Sequence, residues 1–265
     1  MSNAPSSAGV TAPPPSDEVQ KLVLPLDDYI FSNAEYAMTS NALDLMVRDC
    51  MKEQGLAWRS VKRPTDLPNM WNRRRYGLIE IDVARRLGYH ATPELLSPNV
   101  GARMEERRDA ELTPRQFQAA NNPKTGCNKK ADDLLWDGTK PDLRQLNSLS
   151  AQGLAQSQKA PAVQKSLRQW RSCMKDRGFH YGNPTSAISD KAWSNTRRPS
   201  HKEIKTAIAD VRCKDQSHLI AAWSTEEAKI QKAYIQKHRT YFADLKSSKD
   251  RYLNNARLTL KPGYR

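Results

Sequence analysis

The chain contains the stretch Cys50-Met51-Lys52-Glu53-Gln54-Gly55-Leu56-Ala57-Trp58 and a second copy, Cys173-Met174-Lys175-Asp176-Arg177-Gly178-Phe179-His180-Tyr181. Each copy has the form of a helix end. The glycine fits the left-handed position after the helix, and the methionine and the following apolar residue fit the two contacting positions of a Schellman motif. The pattern therefore predicts helices that stop at Gly55 and at Gly178, in two similar halves of the chain.

The four cysteines follow the same twofold pattern. Cys50 and Cys173 begin the copies, and Cys127 and Cys213 follow them at a distance and lead to tryptophans. An even count is typical of exported proteins with disulfides, and the repeat favours the pairs Cys50–Cys127 and Cys173–Cys213. Zinc is disfavoured because no two cysteines lie close together in the sequence, and no histidine spacing supports a nucleophilic cysteine. Four reduced thiols in a cytosolic protein stay an alternative.

Apolar residues at helical spacing predict further helices around the two copies. Residues 89–112 contain Pro93, Pro98, Gly101 and a mixed-charge run, Arg103 to Arg108, and are expected to form a long loop, with a helical turn as the alternative. A capping box at Thr113–Gln116 predicts one helix start. The expected helices are about Asn33–Gln54, a short one within Glu80–Leu87, Thr113–Ala120, Cys127–Trp136, a connecting helix over Leu143–Leu154 interrupted at Gly153, and Val163–Gly178.

The C-terminal region has no Pro or Gly between a second capping box, Ser200–Glu203, and Pro262. It therefore predicts one very long helix or two abutting helices, with a break at Ser224 as the alternative. An apolar stripe recurs with an 11-residue period, which is typical of a nearly straight helix. Its members are Leu219, Trp223, Ile230, Tyr234, Tyr241, Leu245 and Tyr252.

Alternation with a period of two residues is nearly absent, so the predicted fold is mainly α. We expect two disulfide-closed helical halves with a long C-terminal helix or helical hairpin. Residues 1–20 are rich in Ser, Ala and Pro and are expected to form a disordered tether. The expected division is 21–140 for the N-terminal helical half, 141–160 for a connecting segment and 161–265 for the C-terminal helical half.

The charge of the chain favours anionic partners. Lys and Arg number 43 against 29 Asp and Glu, a net charge of +14. Such an excess suits nucleic acid, acidic phospholipid or the anionic polymers of a bacterial wall, although a solvated basic surface with no partner is the simpler interpretation. Candidate polyanion-binding residues are Arg73, Arg74, Arg75, Lys229, Lys232, Lys237, Arg239, Lys246, Lys249 and Arg251.

Motifs for catalysis are absent from the sequence. There is no glycine-rich phosphate loop, no H-E-x-x-H and no G-x-S-x-G, and the five histidines are scattered. No catalytic residue, metal site or cofactor is therefore predicted. The expected function is an exported, non-catalytic cell-envelope or extracellular protein that binds an anionic polymer, a membrane surface or a protein partner. A nucleic-acid-binding protein that uses the basic C-terminal helix, or a secreted hydrolase, is the alternative.

Several short motifs resemble those of secreted proteins and lipoproteins of actinobacteria. They are Leu24-Pro25-Leu26-Asp27-x-Tyr29, Asp49-Cys50-Met51, Arg75-Tyr76-Gly77, Gly88-Tyr89-His90, Trp170-x-x-Cys173-Met174-x-x-x-Gly178-x-x-Tyr181, Ala209-Asp210-Val211-x-Cys213-Lys214, Leu219 and Trp223. The resemblance spans most of residues 22–256. It implies export, oxidised cysteines and in some members a lipid anchor, and it implies no particular activity.

The N-terminus itself has no apolar run of the kind found in signal peptides, and no stretch approaches the length of a membrane span. Met1-Ser2-Asn3-Ala4 resembles a start codon followed by vector-derived residues. We therefore expect the native signal sequence to be missing from this chain, and we expect an extracytoplasmic location, either secreted or lipid-anchored to the cell envelope.

Overall fold

The structure is a computed structural model that describes residues 12–92, 95, 101–194, 198–261 and 263. Helices make up 67% of the chain, and no strand occurs in the residues so described. The mainly α fold is therefore confirmed. A 3₁₀ helix covers Pro25–Tyr29, and the α-helices are α1 (Asp17–Lys21), α2 (Asn33–Glu53), α3 (Ile81–Leu87), α4 (Ala102–Ala110), α5 (Pro114–Asn121), α6 (Cys127–Trp136), α7 (Arg144–Gln158), α8 (Pro161–Asp176), α9 (Pro184–Ile188), α10 (Lys191–Ser194), α11 (His201–Gln216), α12 (Leu219–Lys237) and α13 (Arg239–Thr259).

Both copies of the repeated stretch end a helix by the predicted motif. After α2, Gly55 has a φ of 68°, and the amide of Leu56 donates to the carbonyl of Met51 at 2.9 Å. After α8, Gly178 has a φ of 82°, and the same bond joins Phe179 to Met174 at 2.9 Å. A positive φ explains why glycine is needed at these two stops.

The two predicted disulfides are present. Cys50 is bonded to Cys127, and Cys173 is bonded to Cys213, with Cα–Cα distances of 5.8 and 5.6 Å. No cysteine is left free, so the zinc and free-thiol alternatives are excluded. Disulfides are typical of the oxidising environment outside the cytoplasm. In the described part of the chain, no helix is both long and apolar enough to cross a membrane.

The chain forms two compact units, each made of three separate segments. Unit 1 comprises Met1–Asp27, Pro68–Pro98 and Arg144–Lys237, and unit 2 comprises Asp28–Leu67, Asn99–Leu143 and His238–Arg265. Cys173–Cys213 lies in unit 1, and Cys50–Cys127 lies in unit 2. The units differ from the expected division at 141–160, because α13 packs against α2 and α6 rather than against its neighbours in sequence.

Unit 1 is built around α8. Its predicted apolar face, which includes Val163 and Trp170, is buried, with both residues at 0% exposure. Helices α11 and α12 pack against α8, and α3 and α7 pack in turn against α11 and α12. Burial of large aromatic side chains such as Trp170 and Trp193 contributes much of the hydrophobic stabilisation of this core.

Unit 2 has two smaller apolar clusters, and both include residues of α2 and α6. Val47 and Met51 of α2 pack with the disulfide and with α6. The second cluster joins α2, α6 and α13, and its aromatic pair Trp136–Tyr252 has ring centroids 4.2 Å apart. The disulfide therefore supports a unit whose apolar clusters are small.

Three local predictions are wrong. Gly153 does not interrupt α7, and it faces α12, where a Cβ would lie 3.6 Å from Cγ of Gln231, an ordinary contact distance. No break occurs at Ser224. The C-terminal region forms three helices, with breaks at His218, whose φ is 50°, and at His238. The apolar stripe is therefore divided between two cores, with Trp223 in unit 1 and Tyr252 in unit 2.

Two expected irregular regions are partly helical. Of the predicted tether 1–20, residues 1–11 lie outside the described residues, but α1 is ordered and buries Val19 completely. Of the predicted loop 89–112, residues 93, 94 and 96–100 lie outside the described residues, and α4 occupies its second half. Glu105 and Arg108 of α4 pair with Arg63 and Asp44 elsewhere in unit 2, which explains how a helix with few apolar residues is held in place.

Candidate functional site

The predicted arginine cluster lies in the interior of unit 1. Arg73 is 3% exposed; its Nε donates to Glu80 at 2.6 Å and its Nη2 to the carbonyl of Pro13 at 2.8 Å. Arg75 donates to both carboxylate oxygens of Glu227, which is fully buried. The expectation of a polyanion surface at Arg73 and Arg75 is therefore corrected, because both guanidinium groups are used by internal carboxylates.

Arg74 is also directed towards protein atoms. Its Nη2 donates to the carbonyl of Tyr89 at 3.2 Å, and Nη1 has no partner among the described residues. Removal from water lowers the pKa of Arg74 to about 10. The guanidinium stays charged at neutral pH, and it adds positive potential to the interior of unit 1 rather than to its surface.

A buried ion pair lies at the centre of unit 1. The Asp210 carboxylate accepts hydrogen bonds from Lys214 Nζ at 2.9 Å, Trp170 Nε1 at 2.9 Å and the Tyr89 hydroxyl at 3.3 Å. Lys214 also donates to the carbonyl of Leu78 at 2.7 Å. Burial raises the pKa of Asp210 and lowers the pKa of Lys214, while their mutual attraction opposes both shifts. These bonds link α8 and α11 to Leu78, which precedes α3, and to Tyr89, which follows it.

Glu203 makes a second buried polar contact and explains why one capping box is incomplete. The Ser200 hydroxyl accepts from the Glu203 amide at 3.1 Å, as predicted. The Glu203 carboxylate does not return to Ser200; it accepts from the Tyr89 amide at 2.8 Å and contacts Nδ1 of His90 at 2.7 Å. Both Glu203 and His90 are fully buried, so they hold the turn after α3 against α11.

The predicted cations of the C-terminal region are separated by the structure. Lys249 is 8% exposed and donates to the Ile30 carbonyl at 2.7 Å and to Glu35 at 3.0 Å, so its assignment to a basic surface is corrected. Six of the predicted cations are exposed, and their polyanion-binding role stays a prediction. Lys229, Lys232 and Lys237 belong to unit 1, and Arg239, Lys246 and Arg251 belong to unit 2.

A cleft of about 500 Å³ in unit 2 was not predicted from the sequence. One wall is the irregular segment that follows α2, and the other is α4. Three cationic side chains, one carboxylate and one exposed methionine lie along it. The lining residues are Arg59, Ser60, Val61, Lys62, Met104, Arg107 and Glu111.

Asp44 of α2 positions the first wall. Its carboxylate, only 6% exposed, accepts hydrogen bonds from Trp58 Nε1 at 3.1 Å and from the Val61 amide at 2.7 Å. It also accepts from Arg108 Nη1 of α4 at 2.7 Å, and the Arg108 guanidinium lies 4.1 Å from the centre of the Trp58 ring. One buried carboxylate thus fixes the segment and α4 to the same helix. Hydrogen bonds from charged groups are the stronger kind.

Asn41, one turn before Asp44, provides a second anchor. Its side chain accepts from the Arg63 amide and donates to the Arg63 carbonyl, both at 2.8 Å. The Arg63 guanidinium pairs with Glu105 of α4. A Cβ at Gly101 would lie 2.6 Å from Nε of Arg63, so the glycine before α4 leaves room for this ion pair. Both ends of the segment are therefore fixed.

The second wall presents one face of α4. Met104, Arg107 and Glu111 recur at helical spacing of three and four residues, which places them on the same side. Met104 is 50% exposed, and Glu111 forms an ion pair with Arg59 at 3.2 Å. The lining carries the formal charges of Arg59, Lys62, Arg107 and Glu111, and positive charge is in excess. The cleft is therefore suited to an anionic ligand that also offers an apolar contact.

No protein-family model matches the chain, and no curated protein or solved structure is significantly similar to it. The resemblance to actinobacterial secreted proteins therefore stays a prediction. Among the described residues, no three His, Cys, Asp or Glu side chains are grouped as a metal site requires.

Asp44→Ala is expected to disorder the segment that forms the first wall. Removal of the carboxylate leaves the Val61 amide and the Arg108 guanidinium without their shared acceptor, at a cost of about 1–3 kcal/mol in the free energy of unfolding. Denaturant unfolding measures the loss, and amide hydrogen exchange at Val61 should accelerate. The exposed neighbour Asp49 provides the control, because Asp49→Ala should change stability by less than about 0.5 kcal/mol. Equal effects of the two variants would contradict the role assigned to Asp44.

Proposed function

We propose that the chain is an exported, non-catalytic protein of the cell envelope or extracellular space that binds an anionic polymer or a protein partner, and that the cleft of unit 2 is its binding site. The two disulfides support an extracytoplasmic location. The proposal covers two modes of export, free secretion and lipid anchoring to the cell envelope.

The observation that carries the proposal is the placement of cations on both walls of the cleft. Arg59 and Lys62 lie on the irregular segment, and Arg107 lies on α4. Cations that converge on a concave surface raise the local concentration of anions and accelerate their association. The guanidinium groups also match the two oxygens of a carboxylate or a phosphate. This convergence of cations supports the proposal that the cleft is where the chain contacts an anionic ligand.

The cations of the cleft are not the arginine cluster at Arg73–Arg75 that the sequence predicted as a binding site. Arg73 and Arg75 bind internal carboxylates, whereas Arg59 and Lys62 are exposed in the cleft. Lys62 makes no ion pair among the described residues, and Arg59 pairs with Glu111 only. A ligand anion can therefore contact Lys62 directly and can replace Glu111 at Arg59.

Reversal of the charges in the Arg59→Glu/Lys62→Glu double variant is expected to weaken binding of polyphosphate and of polygalacturonate by on the order of 100-fold at low salt, because two attractions become two repulsions. The difference should shrink in ~1 M salt, where the screening length falls to ~3 Å. Isothermal titration calorimetry at both salt concentrations measures the two effects. Both side chains are exposed, so circular dichroism should show an unchanged fold.

The control carries the same change of net charge at a distance in sequence and in the other unit. Lys159 and Lys165 are exposed and have no ion pair among the described residues. The Lys159→Glu/Lys165→Glu double variant should retain most of the affinity. If both double variants lose affinity equally, binding depends on net charge alone, and the cleft is not the binding site.

A further inference from the structure

Two residues of the first wall, Val61 and Arg63, make backbone hydrogen bonds to side chains of the protein. The Val61 amide donates to Asp44 at 2.7 Å, and the Val61 carbonyl accepts from Arg63 Nη1 at 3.1 Å. The Arg63 amide and carbonyl both bond to Asn41 at 2.8 Å. Val61 and Arg63 therefore direct their peptide groups towards the protein, at the spacing found on one edge of an extended strand.

Ser60 and Lys62 have the opposite environment. Neither residue makes a hydrogen bond with any described residue, and both are exposed and line the cleft. Their neighbours Val61 and Arg63 are buried, so exposure alternates along the segment as well. Since alternate residues of an extended chain direct their N–H and C=O groups to opposite edges, the peptide groups of Ser60 and Lys62 form an open edge.

We infer that this open edge binds an extended, acidic peptide segment of a protein partner, which pairs with Ser60 and Lys62 as an added strand. The inference rests on the proposed function and narrows its ligand to one chemical class. The two amides and two carbonyls of the edge offer main-chain pairing, and the cations of the cleft select acidic side chains. Met104 on the opposite wall provides an apolar contact for the alternate residues of the peptide.

A peptide fits these features better than the other anionic polymers. A polypeptide presents N–H and C=O groups at the strand repeat, which polyphosphate and uronic-acid polymers do not have. Among the described residues, none of those that line the cleft has an aromatic side chain on which sugar rings could stack. The open edge therefore adds a specificity that charge alone would not give.

The test uses a peptide of about eight residues in which glutamate and valine alternate, together with two N-methylated forms. One form is methylated at every glutamate nitrogen and the other at every valine nitrogen. All three have the same charge, and each methylated form has lost the N–H groups of one strand edge. We expect one methylated form to bind at least tenfold more weakly than the parent and the other to keep its affinity, measured by fluorescence anisotropy on the full chain. A tenfold change corresponds to about 1.4 kcal/mol.

The other outcomes are decisive. If the three peptides bind equally, or if both methylated forms lose the same affinity, no single edge is recognised and the inference is wrong. If the peptides fail to bind while polyphosphate or polygalacturonate binds and is lost in Arg59→Glu/Lys62→Glu, the inference fails and the proposed function stands. If none of these probes binds, both fail.

Discussion

Asp210→Ala is expected to lower the free energy of unfolding by about 3–5 kcal/mol, because it leaves the ammonium group of Lys214 buried without its counter-ion. Lys214 is 1% exposed and cannot reach water without rearrangement of the core. The same change removes the acceptor of Trp170 Nε1. Guanidinium chloride unfolding followed by tryptophan fluorescence measures the loss.

Two further variants separate the buried charge from the loss of packing. Asp210→Leu/Lys214→Met removes both charges and keeps the volume filled, so it should cost less than Asp210→Ala. Asp215→Ala removes an exposed carboxylate one turn away and should have a small effect. A double variant that is less stable than Asp210→Ala would show that the ion pair itself stabilises unit 1, contrary to this prediction.

Removal of the Cys50–Cys127 disulfide is expected to destabilise the protein by about 4 kcal/mol. The bond closes a loop of 77 residues, and such a cross-link lowers the entropy of the unfolded chain by roughly that amount in free energy. The small apolar clusters of unit 2 can offset little of the loss. Cys50→Ala/Cys127→Ala, studied by thermal unfolding and by binding at the cleft, measures the effect on both stability and function.

The Cys173→Ala/Cys213→Ala variant is the matched comparison. Its loop of 40 residues predicts a slightly smaller loss, and unit 1 has a far larger apolar core. We therefore expect unit 1 to remain folded when its disulfide is removed. If Cys50→Ala/Cys127→Ala loses less than about 1 kcal/mol, the disulfide is not a main support of unit 2.

Features set by neighbouring residues were predictable from the sequence. The stops at Gly55 and Gly178 follow from local helix-end chemistry, and the structure confirms them. The repeat of that stretch also indicated the correct disulfide pairs. The helix stops depend on residues within a few positions of one another, and the disulfide pairs depend on the visible duplication.

Features set by distant partners were not predictable. In the sequence, Arg73 and Lys249 cannot be told from surface cations. Only the fold places Glu80 beside Arg73 and Glu35 beside Lys249. Nothing in the sequence distinguishes Asp44 from other polar residues of a helix, although its carboxylate positions the first wall of the cleft. The sequence shows several cations after Trp58 and a mixed-charge run from Arg103 to Arg108. It does not show that these two stretches form the two walls of one cleft.

The segments of the two units alternate along the chain, and their order determines which unit is completed first during synthesis. Residues up to Lys237 contain every segment of unit 1, whereas unit 2 still lacks the segment from His238 onwards. A ribosome or a secretion channel that delivers the chain from its N-terminus therefore releases a complete unit 1 while unit 2 is missing Leu245 and Tyr252. A stop codon in place of His238 would leave unit 1 with all of its segments. Unit 2, which carries the cleft, would be the last part of the chain to be completed.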